Sequence, residues 1–390
     1  MKFSIFLKII FTISLIFNNL VRSHAQTTLA QNPTVLNLLK QGTQKMYNYE
    51  FDDAEISFNQ AAILLPQHPA PFLLKAMLIY WRNLPLIATH AKVPELKNLL
   101  SKAEELARIM QINGQINGQS KGQKAAQEQE KLYAEGIFFE MTAKSIVMQH
   151  YAKTGENSKS LGLAKDIYGH LKTGMKLKDS YNEFYFSSGL YNYYREAYPE
   201  AKPFFKIISW IFQSGDKKLG LEQLVFAGKN CVISQTQAWF FLTHIYLTYE
   251  KNPFKSVEYA RELVLRFPKN RYYLCRYVET LLLTKQFDLA ATHIQTLLKS
   301  PSPEVYTVMI TQVLAGMLEE KHHKNYILAK NYYQNALQLA APFQVAGNHY
   351  QAYCYLGLSK IATAEKQPAT AKINFKKAED IAEYKYIFDF

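Results

Sequence analysis

Residues 35–68 read VLNLLKQGTQKMYNYEFDDAEISFNQAAILLPQH, and the spacing of small and large side chains in this stretch decides the fold class. Gly42 is a small residue in the middle of one apolar-periodic segment. Ala54, Phe58 and Ala61 follow at 12, 16 and 19 residues beyond it, and Pro66 closes the stretch. Offsets of four and then three residues put Ala54, Phe58 and Ala61 on one face of a second helix. Small residues on facing helices allow close approach, and the one large ring between them fills the gap. Pro66 cannot continue the second helix. Phe51-Asp52-Asp53 reads as the turn, with Asp52 as helix cap and Glu55 completing a capping box. A further 34 residues from Gly42 lies Ala76, inside a helix expected over Pro71–Trp81.

The same offsets recur downstream. His244, Ser256, Ala260, Leu263 and Pro268 repeat them, as do Val278, Ala290, Ile294 and Leu297, with Asp288 as the expected cap. Ala329, Tyr333 and Ala336 repeat the second-helix triplet, with Pro342 beyond it. Ala371, Phe375 and Ala378 repeat it again after a first helix carrying Tyr353, Leu356 and Gly357, with two extra residues in the turn around Gln367-Pro368. A 34-residue helix pair with small residues at these places resembles the tetratricopeptide repeat (TPR). The resemblance implies an all-α, TPR-like α-solenoid: a right-handed superhelix of antiparallel helix pairs. Each pair packs mainly on its neighbours, so 390 residues need not be divided into several globular domains. The scarcity of Gly and Pro, 16 and 14 in the whole chain, agrees with long helices rather than many strands and turns.

The middle of the chain departs from this regularity. Residues 111–130 begin Gln-Ile-Asn-Gly-Gln-Ile-Asn-Gly and continue polar, which predicts a loop. Their glycines are not a phosphate loop, because no Gly-Lys-Ser/Thr follows. Tyr181 to Tyr198 is expected to be an aromatic-rich helix broken at Pro199 and Pro203. A short inserted helix is expected near 203–213, followed by Asp216 as the cap of the next helix. The Gly189-Leu190 helix, the proline break, and Gly215-Asp216 followed by Gly220-Leu221 resemble the inclusion-body-clearance (tetratricopeptide-39-like) branch of TPR proteins. That likeness covers 181–230 and implies an adaptor rather than an enzyme. No catalytic residue belongs to its motif.

The first 25 residues read as a secretory signal: Lys2, an apolar run interrupted by Lys8, and small residues Ser23 and Ala25 before an expected cut ahead of Gln26. The run is too short and too polar for a stable membrane span. Residues 26–390 are then the single solenoid. An exported chain is expected in the periplasm or outside the cell, or peripheral to the outer membrane. The intracellular members of the resembled branch differ in this, so their biology does not transfer. The formal charge of +13 is scattered among acids without a Lys/Arg block, which reads as a solvated face and not a nucleic-acid site. Cys231, Cys275 and Cys354 lack zinc-ligand spacing and read as small buried hydrophobes.

No HExxH, GxSxG or P-loop pattern is present, and no enzyme, cofactor or metal is expected. His322-His323 sits between two helices and is flanked by Lys321 and Lys324, which oppose metal binding. The expected function is to hold a protein or peptide partner in the cell envelope. The candidate contacts are Tyr191, Tyr194, Arg195 and Arg276, because aromatic rings grip extended chain and Arg reads carboxylates with two parallel donors. A glycan- or small-ligand-binding envelope protein is the alternative, motivated by the aromatic content and the expected export.

Overall fold

Five helix-to-helix turns share one backbone feature. Tyr49, Lys251, Lys285, Lys324 and Lys366 all have positive φ, from 49° to 64°. A single left-handed residue stops one helix and re-aims the chain into the next. Lys251 and Lys285 stand one 34-residue repeat apart (285 − 251). The repeat seen in side-chain size is therefore also a repeat of backbone conformation.

The computed structural model describes residues 26–116, 122–201, 212–300, 302 and 304–389. The helices come in pairs: α1 (Pro33–Tyr47) with α2 (Phe51–Leu64), α3 (Pro69–Arg82) with α4 (Val93–Ile116), α5 (Gln123–Lys153) with α6 (Asn157–Leu177), and α7 (Phe184–Ala201) with α8 (Lys217–Asn230). They continue as α9 (Gln235–Thr248) with α10 (Pro253–Arg266), α11 (Arg271–Leu283) with α12 (Phe287–Lys299), α13 (Val305–Leu318) with α14 (Tyr326–Ala340), and α15 (Asn348–Ala364) with α16 (Pro368–Ile381). Each helix packs on its successor, and first helices of successive pairs also touch: α1 on α3, α3 on α5, α11 on α13 and α13 on α15. Among the described residues there is no strand. This is an all-α, TPR-like solenoid. None of its described helices is long and apolar enough to cross a membrane.

The small-to-large pairing works by contact. A Cβ on Gly42 would lie 2.5 Å from the ring of Phe58, so α1 and α2 meet at a distance only glycine permits. Tyr333 on α14 is clasped from two sides. A Cβ on Gly316 would come within 2.7 Å of its ring, and one on Gly357 within 2.3 Å. Tyr333 is fully buried, and its hydroxyl donates to Glu320 at 2.9 Å.

Several expectations are corrected. Within 111–130, residues 111–116 and 123–130 are helical and not loop: α4 runs to Ile116 and α5 starts at Gln123. Gly114 serves the α4–α5 crossing, where a Cβ would lie 2.7 Å from the backbone of Tyr133. The Gln, Lys, Ala and Glu residues from 123 onward are good helix formers. Residues 117–121 lie outside the described residues. Asp52 is not the cap of α2, because the helix starts at Phe51 with Glu50 at the cap position. Asp52 instead pairs with Arg82 at 3.0 Å, and Glu55 joins the same guanidinium at 3.2 Å. Asp288 is likewise inside the first turn of α12, with Gln286 at the cap. In both cases the acid still favours the positive helix end. Pro199 does not end α7, which continues to Ala201. So close to the helix end, a missing N–H is a local cost. Asp216 does cap α8, accepting from Leu219 N at 2.9 Å. The expected inserted helix near 203–213 and the signal segment 1–25 fall almost wholly outside the described residues.

The array closes back on itself. The turn of the first pair docks on the α9–α11 region, more than 200 residues away. Gln44 Nε2 donates to the Arg266 carbonyl at 3.0 Å, and Asn270 Nδ2 donates to the Tyr47 carbonyl at 2.7 Å. Tyr47 is fully buried against Trp81, Phe267 and Tyr273, at ring separations of 5.3, 5.6 and 6.5 Å.

Candidate partner-binding face

The first helices of the last four pairs present polar and aromatic side chains to a common interior. On α11, Tyr272, Arg276 and Glu279 stand four and three residues apart, hence on one face. On α15, His349, Tyr350 and Tyr353 do the same, while α9 brings His244 and α13 brings Tyr306. Rings join these helices: Tyr272 meets Tyr306 at 6.4 Å, and Tyr306 meets Tyr350 at 6.1 Å.

Glu279 is the centre of this face and is fully buried. Its Oε1 accepts from the Tyr353 hydroxyl at 3.0 Å and lies 3.3 Å from His349 Nε2. Its Oε2 takes a hydrogen bond from the Arg276 guanidinium, one helical turn away. Burial alone would raise the carboxyl, but Arg276, followed by His349 and a tyrosine hydroxyl, holds it at about 2. Burial likewise opposes charge on Arg276, and Glu279 keeps it protonated. The buried pair is thus ionised and saturated with donors, the condition under which such a pair is tolerated. His244 is pushed down to about 3, first by burial and then by Arg276 and His349, so its ring is neutral at pH 7.

The fourth donor to Glu279 comes from the chain itself. After α16 the chain turns back, and residues Lys385–Phe388 form one short helical turn on this face. The Tyr386 hydroxyl donates to Glu279 Oε1 at 3.0 Å. The Tyr384 ring packs on His244 at 4.9 Å and on His349 at 6.0 Å. Tyr386 and Ile387 are buried, whereas Glu383, Lys385 and Asp389 point to solvent. The face therefore holds an eight-residue segment by Tyr384, Tyr386 and Ile387.

The four contact residues expected from sequence separate into two groups. Arg276 belongs to the centre just described. Tyr194 belongs to its margin: its ring meets Tyr249 at 5.4 Å, and Tyr249 meets His244 at 5.9 Å. Tyr191 points elsewhere, donating to the Gln213 carbonyl at 2.6 Å beside Tyr168. Arg195 lies beside Gly215 and faces Glu196 at 3.6 Å. Glu279, His349 and Tyr386 were not singled out by sequence, and Tyr353 was read only as a first-helix repeat position. The spacing of 276 to 279 and of 349 to 353 on two first helices was the available signal.

The remaining candidates have local partners. His323 pairs with Glu319 at 3.0 Å, and His322 stacks on Phe287. All three cysteines are buried free thiols, and burial raises each of them. Among the described residues no group of three or more His, Cys, Asp or Glu is placed to hold a metal ion. The His349–Glu279 contact has the composition of an acid–base pair, yet Glu279 is closed from solvent and already neutralised by Arg276. This arrangement suits holding a segment in place.

No family model matches the chain, and no curated protein sequence does. Among solved structures, the crystal structure of the P58(IPK) TPR domain aligns over 91% of this chain and 95% of that one, at 15% identity and a TM-score of 0.23. The fold assignment rests on the helix pairs themselves.

Proposed function

We propose that this chain is an exported, non-catalytic scaffold that holds another protein by laying an extended segment of it on the inner face of α9, α11, α13 and α15. One observation carries the reading: that face already holds a peptide segment, residues 382–389, through a buried hydroxyl-to-carboxylate bond and ring contacts. A surface that binds a segment of its own chain has the chemistry to bind a foreign one. The glycan-binding alternative has no such observation behind it, and Trp81 and Trp239 are buried.

The likeness of 181–230 to the inclusion-body-clearance branch belongs to this proposal as a statement about adaptors. Its glycines serve a close helix crossing, with a Cβ on Gly189 lying 3.0 Å from the Gly220 carbonyl. Export rests on the leading segment. Gln26 donates to the Gln67 and Leu106 carbonyls at 2.7 and 3.1 Å, so a chain cut before it keeps these contacts. The test is cross-linking in the native envelope followed by mass spectrometry. The expected result is a protein neighbour whose cross-links map to α9, α11 or α15. If no neighbour rises above background, the scaffold reading fails. Amino-terminal sequencing of envelope material is expected to begin at Gln26. Recovery of only the intact Met1 chain from the cytoplasm would overturn export.

A further inference from the structure

Residues 382–389 are held on the array mainly by their side chains. They follow α16 and contain one helical turn of four residues. Their anchors on the inner face are side chains: the Tyr384 ring against His244, the Tyr386 hydroxyl on Glu279, and Ile387. Phe388 reaches Phe375 on α16 at 5.6 Å, and the exposed Asp389 lies 3.9 Å from Lys251. Beside Ile387 lies only a small crevice, lined by Met317, Tyr333, Leu356 and Gly357. So small a unit, with charged residues on its outer side, opens at lower cost than the helices it covers.

Removal of the segment has a defined chemical consequence. Glu279 would lose one of its hydroxyl donors while remaining ionised beside Arg276. An under-satisfied buried carboxylate is costly, so an occupant that again excludes water from this oxygen is favoured if it brings a donor. A phenol at the Tyr386 position does this while its ring fills the space beside His349, 6.0 Å away. An acidic side chain there would face Glu279 and be rejected. A second aromatic two residues earlier meets His244, and an aliphatic residue one later takes the place of Ile387.

We infer that Tyr384–Phe388 is a displaceable occupant of the inner face, and that the site takes from a partner protein a segment of the same chemistry: two phenols two residues apart, followed by an aliphatic and an aromatic side chain. The inference rests on the scaffold reading above and specifies its ligand. It also makes the face self-gated. Binding of a partner in trans is weakened by the fraction of molecules in which the chain's own segment is seated.

The test uses the full chain and a fluorescent peptide with the sequence of residues 382–389, AEYKYIFD. Anisotropy titration compares the unmodified protein with the Tyr384→Ala/Tyr386→Ala variant, whose own segment is loosened. The variant is expected to bind the peptide at least about tenfold tighter than the unmodified chain. A peptide with Phe in place of Tyr386 is expected to bind the variant about tenfold or more weakly, as fits one lost hydrogen bond to a charged acceptor. Equal affinity for both proteins overturns the inference. So does absence of binding by a variant whose thermal melt matches the unmodified chain. Should the variant not fold, hydrogen exchange on the unmodified chain decides. Amides of 384–389 are expected to exchange well before those of α15 around Tyr353, and exchange only together with α15 would mean that the segment does not leave. Failure of the peptide with a cross-linked neighbour elsewhere on the array sinks this inference alone. Peptide binding without any envelope neighbour sinks the scaffold reading alone.

Discussion

Replacing Gly357 by alanine tests the packing rule that builds the array. In an exposed helix interior, Gly→Ala stabilises by roughly 1 kcal/mol, because alanine loses less backbone freedom on folding. At Gly357 the added Cβ would lie 2.3, 2.4 and 2.6 Å from Cε2, Cζ and the hydroxyl oxygen of Tyr333. Ordinary carbon contacts begin near 3.5 Å, so the ring would have to retreat by about 1 Å. It has nowhere to go, since Gly316 already meets its other edge and its hydroxyl is tied to Glu320. Overpacking of this kind costs about 1–3 kcal/mol, and the immobile ring argues for the upper half of that range. The net loss is then about 1–2 kcal/mol despite the better helix former. Gly169 in α6 provides the control: nothing lies within 4 Å of its would-be Cβ. There alanine should stabilise by roughly 0.5–1 kcal/mol. Urea denaturation followed by circular dichroism at 222 nm measures both. A Gly357→Ala protein as stable as the unmodified chain, or more so, refutes the argument. In a Tyr333→Leu background the added cost of Gly357→Ala should shrink, because the smaller side chain frees the space.

Other outcomes follow from the same geometry. Lys285→Gly and Lys366→Gly should each stabilise by about 0.5–1 kcal/mol, since glycine takes positive φ without the side-chain penalty, and two such distant sites should add; a loss at either site would show that the lysine stem contributes packing. Asn270→Ala removes both the α11 cap, which accepts from Tyr273 N at 2.9 Å, and the donor to the Tyr47 carbonyl. A loss of about 2–3 kcal/mol is expected, about 1 from the cap and the rest from the stranded carbonyl; a loss under about 1 would mean that the first pair is not held by this contact. Acid should weaken the fold in two stages. His244 sits below its unfolded value of 6.5, so the unfolded chain binds the extra proton. Stability then falls as pH drops from about 6.5 toward 3, by at most about 1.4 kcal/mol per unit. Glu279 sits at about 2 against 4.5, so its contribution is intact above about 4.5 and is lost as pH falls toward 2. Urea midpoints at pH 7, 5.5 and 4.5 should decline, and His244→Gln should flatten that decline; an unchanged slope would remove His244 from the explanation.

Much of the candidate face was only partly legible. Arg276 and Tyr194 were reachable because first-helix positions of a repeat share an orientation. Tyr191 and Arg195 looked equivalent to them, yet Arg195 stands one residue from Tyr194, a turn of about 100°, and Tyr191 is four residues before Arg195, so both lie beside the segment 212–216 instead. The polar glycine-bearing stretch at 111–116 and 123–130 misled for a related reason. Composition marks a loop, but a glycine at a helix crossing is chosen for contact, and the contacting residue, Tyr133, lies on the next helix.

The sequence by itself determined the helical class, the first helix pair and the pairs from α9 onward. The Gly42–Phe58 and Gly357–Tyr333 relations are local, between positions 16 to 24 residues apart, and small-against-large packing at those offsets permits few other folds. Tertiary structure alone decided where the array meets itself. The docking of Tyr47 against Phe267 and Tyr273, and the seating of Tyr386 on Glu279, join residues separated by more than 100 positions. Such contacts depend on the accumulated small rotation from pair to pair, a sum that no single repeat encodes.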